Sequence, residues 1–365
     1  LFCFTLPHHL LINHAYNDLQ EKNQEGKEMF GKRKGLVKLV ALVLALALSL
    51  TLTGCGGEKQ PDSNSNVEKI KVGIIQIAEH PALDSARKGF IETLKEKGFV
   101  EGQNLEIDYQ NAQGDMSIAK TIADKFVSGK VNLVLAIGTQ AAQAVANVTS
   151  EIPILITAVT DPVDAKLAES LERPGKNITG TTDMTPVKEQ LKLLKELLPD
   201  VKNVGIIYNA GEANSVVQVK LAKEAAQELG INLVEGSVAN VSEVNQVAQT
   251  VAKKVEALYV PTDNTVASAI ESVIQVAEEV KIPLIGSEEA QVEKGGLATE
   301  GINYFKLGKQ TGEIAVEVIN GKNPAEIPIQ SQKEPELIVN VKAAERIGLT
   351  IPQEILDRAD RKIEK

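Results

Sequence analysis

Apolar and polar positions alternate in blocks along most of the chain. "KIKVGIIQIA" (69–78) is a short β-branched run and predicts a buried strand. "ALDSARKGFIETLKEKG" (82–98) then spaces Leu83, Ala86, Phe90, Ile91 and Leu94 as one face of a helix, with Gly98 as its stop. "NLEIDYQNA" predicts a second strand and "DMSIAKTIADKFVSG" a second helix closed by Gly129. "VNLVLAIG" and "IPILITAV" predict a third and a fourth strand, separated by the helix "TQAAQAVANVT". Strands alternating with helices predict an α/β fold with parallel sheet and right-handed crossovers.

The pattern then recurs. "VGII" at 72–75 returns at 204–207, and "NLEIDY" at 104–109 is matched by "INLVEG" at 231–236. "VNLVLAIGTQAAQA" (131–144) is matched by "VEALYVPTDNTVASA" (255–269), and "IPILIT" (152–157) by "IPLIGS" (282–287). The offsets, about 125–132 residues, are too long for a solenoid. They predict two similar doubly wound lobes: 69–182 plus roughly 290–322, and 183–289 plus roughly 323–365.

The first part of the chain carries a different pattern. "MFGKRKGLVK" (29–38) is basic, and "LVALVLALALSLTLTG" (39–54) has no charge. Sixteen helical residues rise about 24 Å, short for a bilayer span, so residues 29–54 read as a secretory signal. The run ends in "LTGC" and resembles a bacterial lipoprotein box, which implies acylation of Cys55, a palmitate-type anchor on the extracytoplasmic face of the cell membrane. Two or more acyl chains give stable attachment where one does not. The tail "GGEKQPDSNSNVE" (55–68 with the cysteine) reads as a flexible tether. Residues 1–28 start from Leu1, precede the first methionine, Met29, and end in "QEGKE", whose codons are purine-rich. They read as untranslated sequence upstream of the start, with a native extension as the alternative.

Charge and residue inventory narrow the chemistry. Beyond residue 54 the chain has 33 basic and 45 acidic residues, a net charge of −12, which disfavours nucleic acid and anionic head groups. That part holds one histidine, His80, and no cysteine besides Cys55, so no zinc site of the His/Cys type can be assembled. No phosphate-binding glycine motif and no nucleophile elbow occurs, and neither a metal, a cofactor nor catalysis is expected.

Ligands of open parallel sheets bind beyond the carboxyl ends of the strands, so the polar stretches there are the candidates. Thr139 and Gln140 open a helix whose free amides suit a carboxylate, and a plain N-cap is the alternative role for Thr139. Asp161 either accepts a ligand ammonium or caps its own turn. Asp263 and Asn264 divide capping and ligand contact between them, and Glu212, Asn214 and Ser215 stand at another helix start. Opposed anionic and cationic partners suit a zwitterion, with its ammonium at Asp161 or Asp263.

These stretches also carry a family resemblance. "HPALD" (80–84), "GTQAAQ" (138–143), "TDPVDA" (160–165), "RPGKNITGTTD" (173–183), "PTDNTVAS" (261–268) and "GGLATEGINYFKLG" (295–308) resemble ABC-transporter substrate-binding proteins of the tryptophan/tyrosine-binding type. The resemblance implies a type I periplasmic-binding-protein fold, monomeric, hinged by three crossovers. It implies closure on a small solute and delivery to a membrane permease with a cytoplasmic ATPase. It adds Gln76, His80, Asp84, Asp183, Tyr208 and Glu288 to the candidates. Beyond residue 54 there are no Trp, four Phe and four Tyr, so stacking rings are scarce for an aromatic ligand. A membrane-tethered ligand sensor and a binding protein for a neutral solute such as a nucleoside stay open as alternatives.

Overall fold

The computed structural model describes residues 69–332 and 334–364; the expected signal, Cys55 and tether lie outside the described residues. The first lobe runs β1 (Ile70–Gln76), α1 (Pro81–Glu96), β2 (Leu105–Asn111), α2 (Met116–Ser128), β3 (Leu133–Ile137), α3 (Thr139–Ala146), β4 (Ile154–Val159) and β5 (Ile178–Thr182). The second begins with α4 (Val187–Leu197), β6 (Asn203–Asn209), α5 (Ala213–Leu229), β7 (Asn232–Val238), α6 (Val244–Ala252) and β8 (Ala257–Val260). It continues through α7 (Asn264–Ser268), α8 (Ile270–Glu279), β9 (Leu284–Gly286), α9 (Glu289–Glu293) and β10 (Ala298–Gly301). After α10 (Tyr304–Ile319) and β11 (Gln330–Ser331) come β12 (Glu336–Asn340), α11 (Val341–Ile347), α12 (Gln353–Arg358) and β13 (Arg361–Ile363).

The sheet orders are β11-β5-β4-β3-β1-β2 and β13-β12-β10-β9-β8-β6-β7. The sequence repeat is therefore a repeat of topology: β4-β3-β1-β2 in one lobe corresponds to β9-β8-β6-β7 in the other. All pairings are parallel except β10 with β12. Helices cover both faces, which is why β3 and β4 are buried along their whole length and read as unbroken apolar runs.

The chain crosses between lobes at 183–186, 302–303 and 332–335, later than the expected returns near 290 and 323. β10 joins the second sheet beside β9 because Leu297 and Ala298 complete the second core, whereas Ile327 and Ile329 pack into the first. A four-residue strand with one aliphatic side chain, Ala298, does not reveal in sequence which sheet it will join.

Helix α10 returns to the first lobe and lies closely on α1. A Cβ at Gly308 would stand 1.9 Å from the Ala86 carbonyl oxygen, and one at Gly89 would stand 2.2 Å from that of Phe305. The two backbones touch there, so glycine is required on both helices.

Candidate ligand-binding cleft

The carboxyl ends of both sheets face one cleft. β4 ends in an irregularity: its register with β5 shifts between Ile156 and Val159, and Ala158 takes a positive φ of 55°. Such a backbone is costly for a non-glycine residue and clusters at binding sites. The next residue but one, Thr160, contacts both Asp183 (3.1 Å) and, across the cleft, Thr262 (3.4 Å). A second contact joins the lobes where His80 Nε2 meets Asn264 Oδ1 at 3.3 Å.

Between these contacts lies a narrow niche of about 10 Å³, lined by groups including His80, Thr160, Asp183, Asn214, Asp263, Glu288 and Tyr304. That is room for roughly one water molecule. Outside it the cleft opens into a chamber of about 800 Å³, lined by Glu79, Met116, Gln140, Glu212, Val241 and Glu243 among others. Chambers of this size suit small-molecule ligands.

The niche is rich in carboxylates and has no lysine or arginine in its lining. Burial raises Asp183 above the usual carboxylate range, against the hydroxyl bonds from Tyr304 and Thr160. Burial, reinforced by Glu212, pushes Asp263 up to about 7, and burial pushes Glu288 up to about 8. Burial also lowers His80, outweighing Asn264, Glu212 and Asp84.

The raised acids make a pH prediction. Asp263 and Glu288 start from 3.8 and 4.5, so between those values and about 7 and 8 the folded body holds protons that the unfolded chain has released. Stability from these groups is full below about pH 4 and falls as pH rises through 7 and 8. The melting temperature of the ligand-free chain should be lower at pH 8.5 than at pH 5.5, through these groups. That difference should shrink in a Asp263→Asn, Glu288→Gln variant; an unchanged difference would refute the assignment.

Residues 71–363 match the family described as ABC transporter substrate binding protein. A curated relative, the Tyrosine-binding protein of Clostridioides difficile, is 45% identical over 315 residues, 86% of this chain and 91% of the relative. The chain belongs to the ABC transporter substrate-binding protein family. Two solved members place it further. The complex of an ABC domain with L-Trp from Streptococcus pneumonia is 36% identical, with a TM-score of 0.78 over 81% of this chain and 100% of that one. A ligand-free, open substrate binding protein with adhesive properties from Clostridium difficile is 45% identical. Its TM-score is only 0.62 over 81% of this chain and 99% of that one. The chain thus overlays better on the L-Trp complex than on the ligand-free, open relative, although it is less identical to the former, and two side-chain contacts join its lobes.

The binding protein gathers some of its sequence-predicted residues and not others. His80, Asp183, Asn214, Asp263, Asn264 and Glu288 line the niche; Gln140 and Glu212 line the chamber, with Asn264 shared. Several are already committed. Asp263 accepts from Val266 N on one oxygen and from Asn209 N and Ser215 Oγ on the other. Glu288 caps α9 through the amides of Ala290 and Gln291. Glu212 holds the first turn of α7 through the amides and side chains of Asn264 and Thr265.

Asp161 lines neither cavity: it caps its own turn through the amides of Val163 and Asp164, both at 3.0 Å. Asp161 therefore stands away from both cavities, and both oxygens of Asp263 already accept hydrogen bonds from its own lobe. Tyr208 lies outside both cavities too, donating to Glu235 at 2.9 Å. Gln76 and Asp84 sit behind the loop that carries His80, where Asp84 accepts from Gln76 Nε2 (3.0 Å) and Arg87 (3.1 Å). Ser215 serves Asp263, and Thr139 is buried at the start of α3 with Oγ1 unpartnered.

Four polar niche residues escaped sequence reasoning: Thr160, Thr262, Gln291 and Tyr304. Tyr304 opens α10 at the second crossing, where the helical pattern gives it the look of a core position; its hydroxyl bonds to Asp183.

Proposed function

We propose that the chain is the extracytoplasmic, lipid-anchored binding component of an ABC importer, and that its lobes close on a free aromatic amino acid. The observation that carries this reading is the closer overlay on the L-Trp complex than on the open relative, joined to the name of the tyrosine-binding relative. In this reading the ligand ammonium meets Asp183 and Asn214. Its carboxylate meets the first amides of α3 at Thr139 and Gln140, where the helix dipole favours an anion. The ring occupies the chamber beside Met116 and Val241. With Phe90, Phe126 and Tyr259 fully buried in the cores, Tyr304 is the ring left to the niche, so apolar walls rather than stacked rings receive the side chain.

Calorimetry on the purified chain, freed of retained ligand, tests this. Tyrosine and tryptophan should bind at least tenfold more tightly than leucine or adenosine, and small-angle scattering should show a smaller radius of gyration at saturation. Tighter binding of adenosine would replace the amino acid with a neutral solute.

The anchor has its own test. Cys55→Ser removes the acyl acceptor while keeping the size of the side chain. The protein should be released to the medium or retained as an unprocessed precursor. Membrane attachment of a Cys55→Ser protein processed at the same position would refute lipidation there.

A further inference from the structure

Resting on that reading, we propose that the cleft recognises its ligand chiefly through the ammonium group, and that it therefore also binds aromatic amines that lack the carboxylate. The niche offers acceptors in excess of donors. Asn214 is 5% exposed, and its Nδ2 donates to the Thr262 carbonyl at 2.7 Å and more weakly to Glu212 and Ser215. Those partners fix the amide, since the flipped orientation would set its oxygen against the carbonyl and the carboxylate. Asn214 Oδ1 is left buried with no donor, and so is Nδ1 of His80, which is 8% exposed. Asp183 accepts from two hydroxyls, Thr160 and Tyr304. A primary ammonium supplies three donors and a positive charge, which is the complement of this set.

The opposite end of the ligand finds much less. Neither the niche nor the chamber has a lysine or arginine in its lining, while Glu79, Glu212 and Glu243 line the chamber. A carboxylate there has amides and neutral side chains as partners, with like charges nearby. The ammonium has a desolvated ion pair. Removing the carboxylate gives up hydrogen bonds and relieves repulsion; removing the ammonium strands a buried charge, which is the costlier loss.

The test is calorimetry on the purified chain at pH 7 with tyrosine, tyramine and 3-(4-hydroxyphenyl)propionate. Tyramine should bind at least tenfold more tightly than the propionate, which corresponds to about 1.4 kcal/mol. Asn214→Leu, which keeps the volume and removes Oδ1, should weaken tyrosine and tyramine by similar factors. If tyrosine binds and the propionate matches or exceeds tyramine, the inference is overturned while the amino-acid reading stands. If tyramine binds and tyrosine does not, the inference stands and the amino-acid reading falls. Binding of none of the three overturns both.

Discussion

Asp183→Asn is expected to weaken binding of an aromatic amino acid by about 30-fold or more, and to leave the ligand-free chain at least as stable as the parent. The loss follows from the ion pair: removing one partner of a buried pair costs ~2–5 kcal/mol, and each 1.4 kcal/mol is tenfold. The stability result follows from the ligand-free state, in which burial already holds this carboxyl above its usual range. An amide of the same size removes that desolvated charge, and the hydroxyls of Thr160 and Tyr304 can turn to suit it. Calorimetry and thermal melts on the same preparation check both halves. Unchanged affinity would place the ammonium elsewhere. A large fall in melting temperature would make Asp183 a hinge support instead.

Gly308→Ala should be among the most damaging single methyls in the described body. The new Cβ would lie 1.9 Å from the Ala86 carbonyl oxygen, a backbone atom that moves only if α1 and α10 separate. Overpacking ordinarily costs about 1–3 kcal/mol, and a clash with main chain belongs at or beyond the upper end. The melting temperature should fall by roughly 5–10 °C. Gly321→Ala, with open space around the new atom but a positive φ of 95°, is the control for backbone strain alone. A smaller effect at 308 than at 321 would show that the helices yield more readily than this packing implies.

The lobes were legible because their central strands are largely buried and so appear as apolar runs, twice, in one order. Crossing points were less so. β10 is recruited by the long-range burial of Leu297 and Ala298, which no local pattern announces. The site was legible to the level of the loop and not of the side chain. Asp161 and Asp263 have the chemistry of an ammonium partner, yet the nearest amides claim them as caps. Sequence places an aspartate before a helix or turn but does not say which of its oxygens remain free. Tyr304 is the converse case: its helix belongs to one lobe while its hydroxyl serves a crossing between the two.

Helix α10 also sets the order in which this chain can become a folded object. It contributes Leu307, Ile314 and Ala315 to the core that β1 to β5 begin. Between the end of β5 at Thr182 and the end of α10 at Ile319 lie 137 residues, during whose synthesis that core has one side open. At ordinary elongation rates this interval lasts on the order of 10 s. The first core therefore cannot be completed until almost the whole polypeptide has been made.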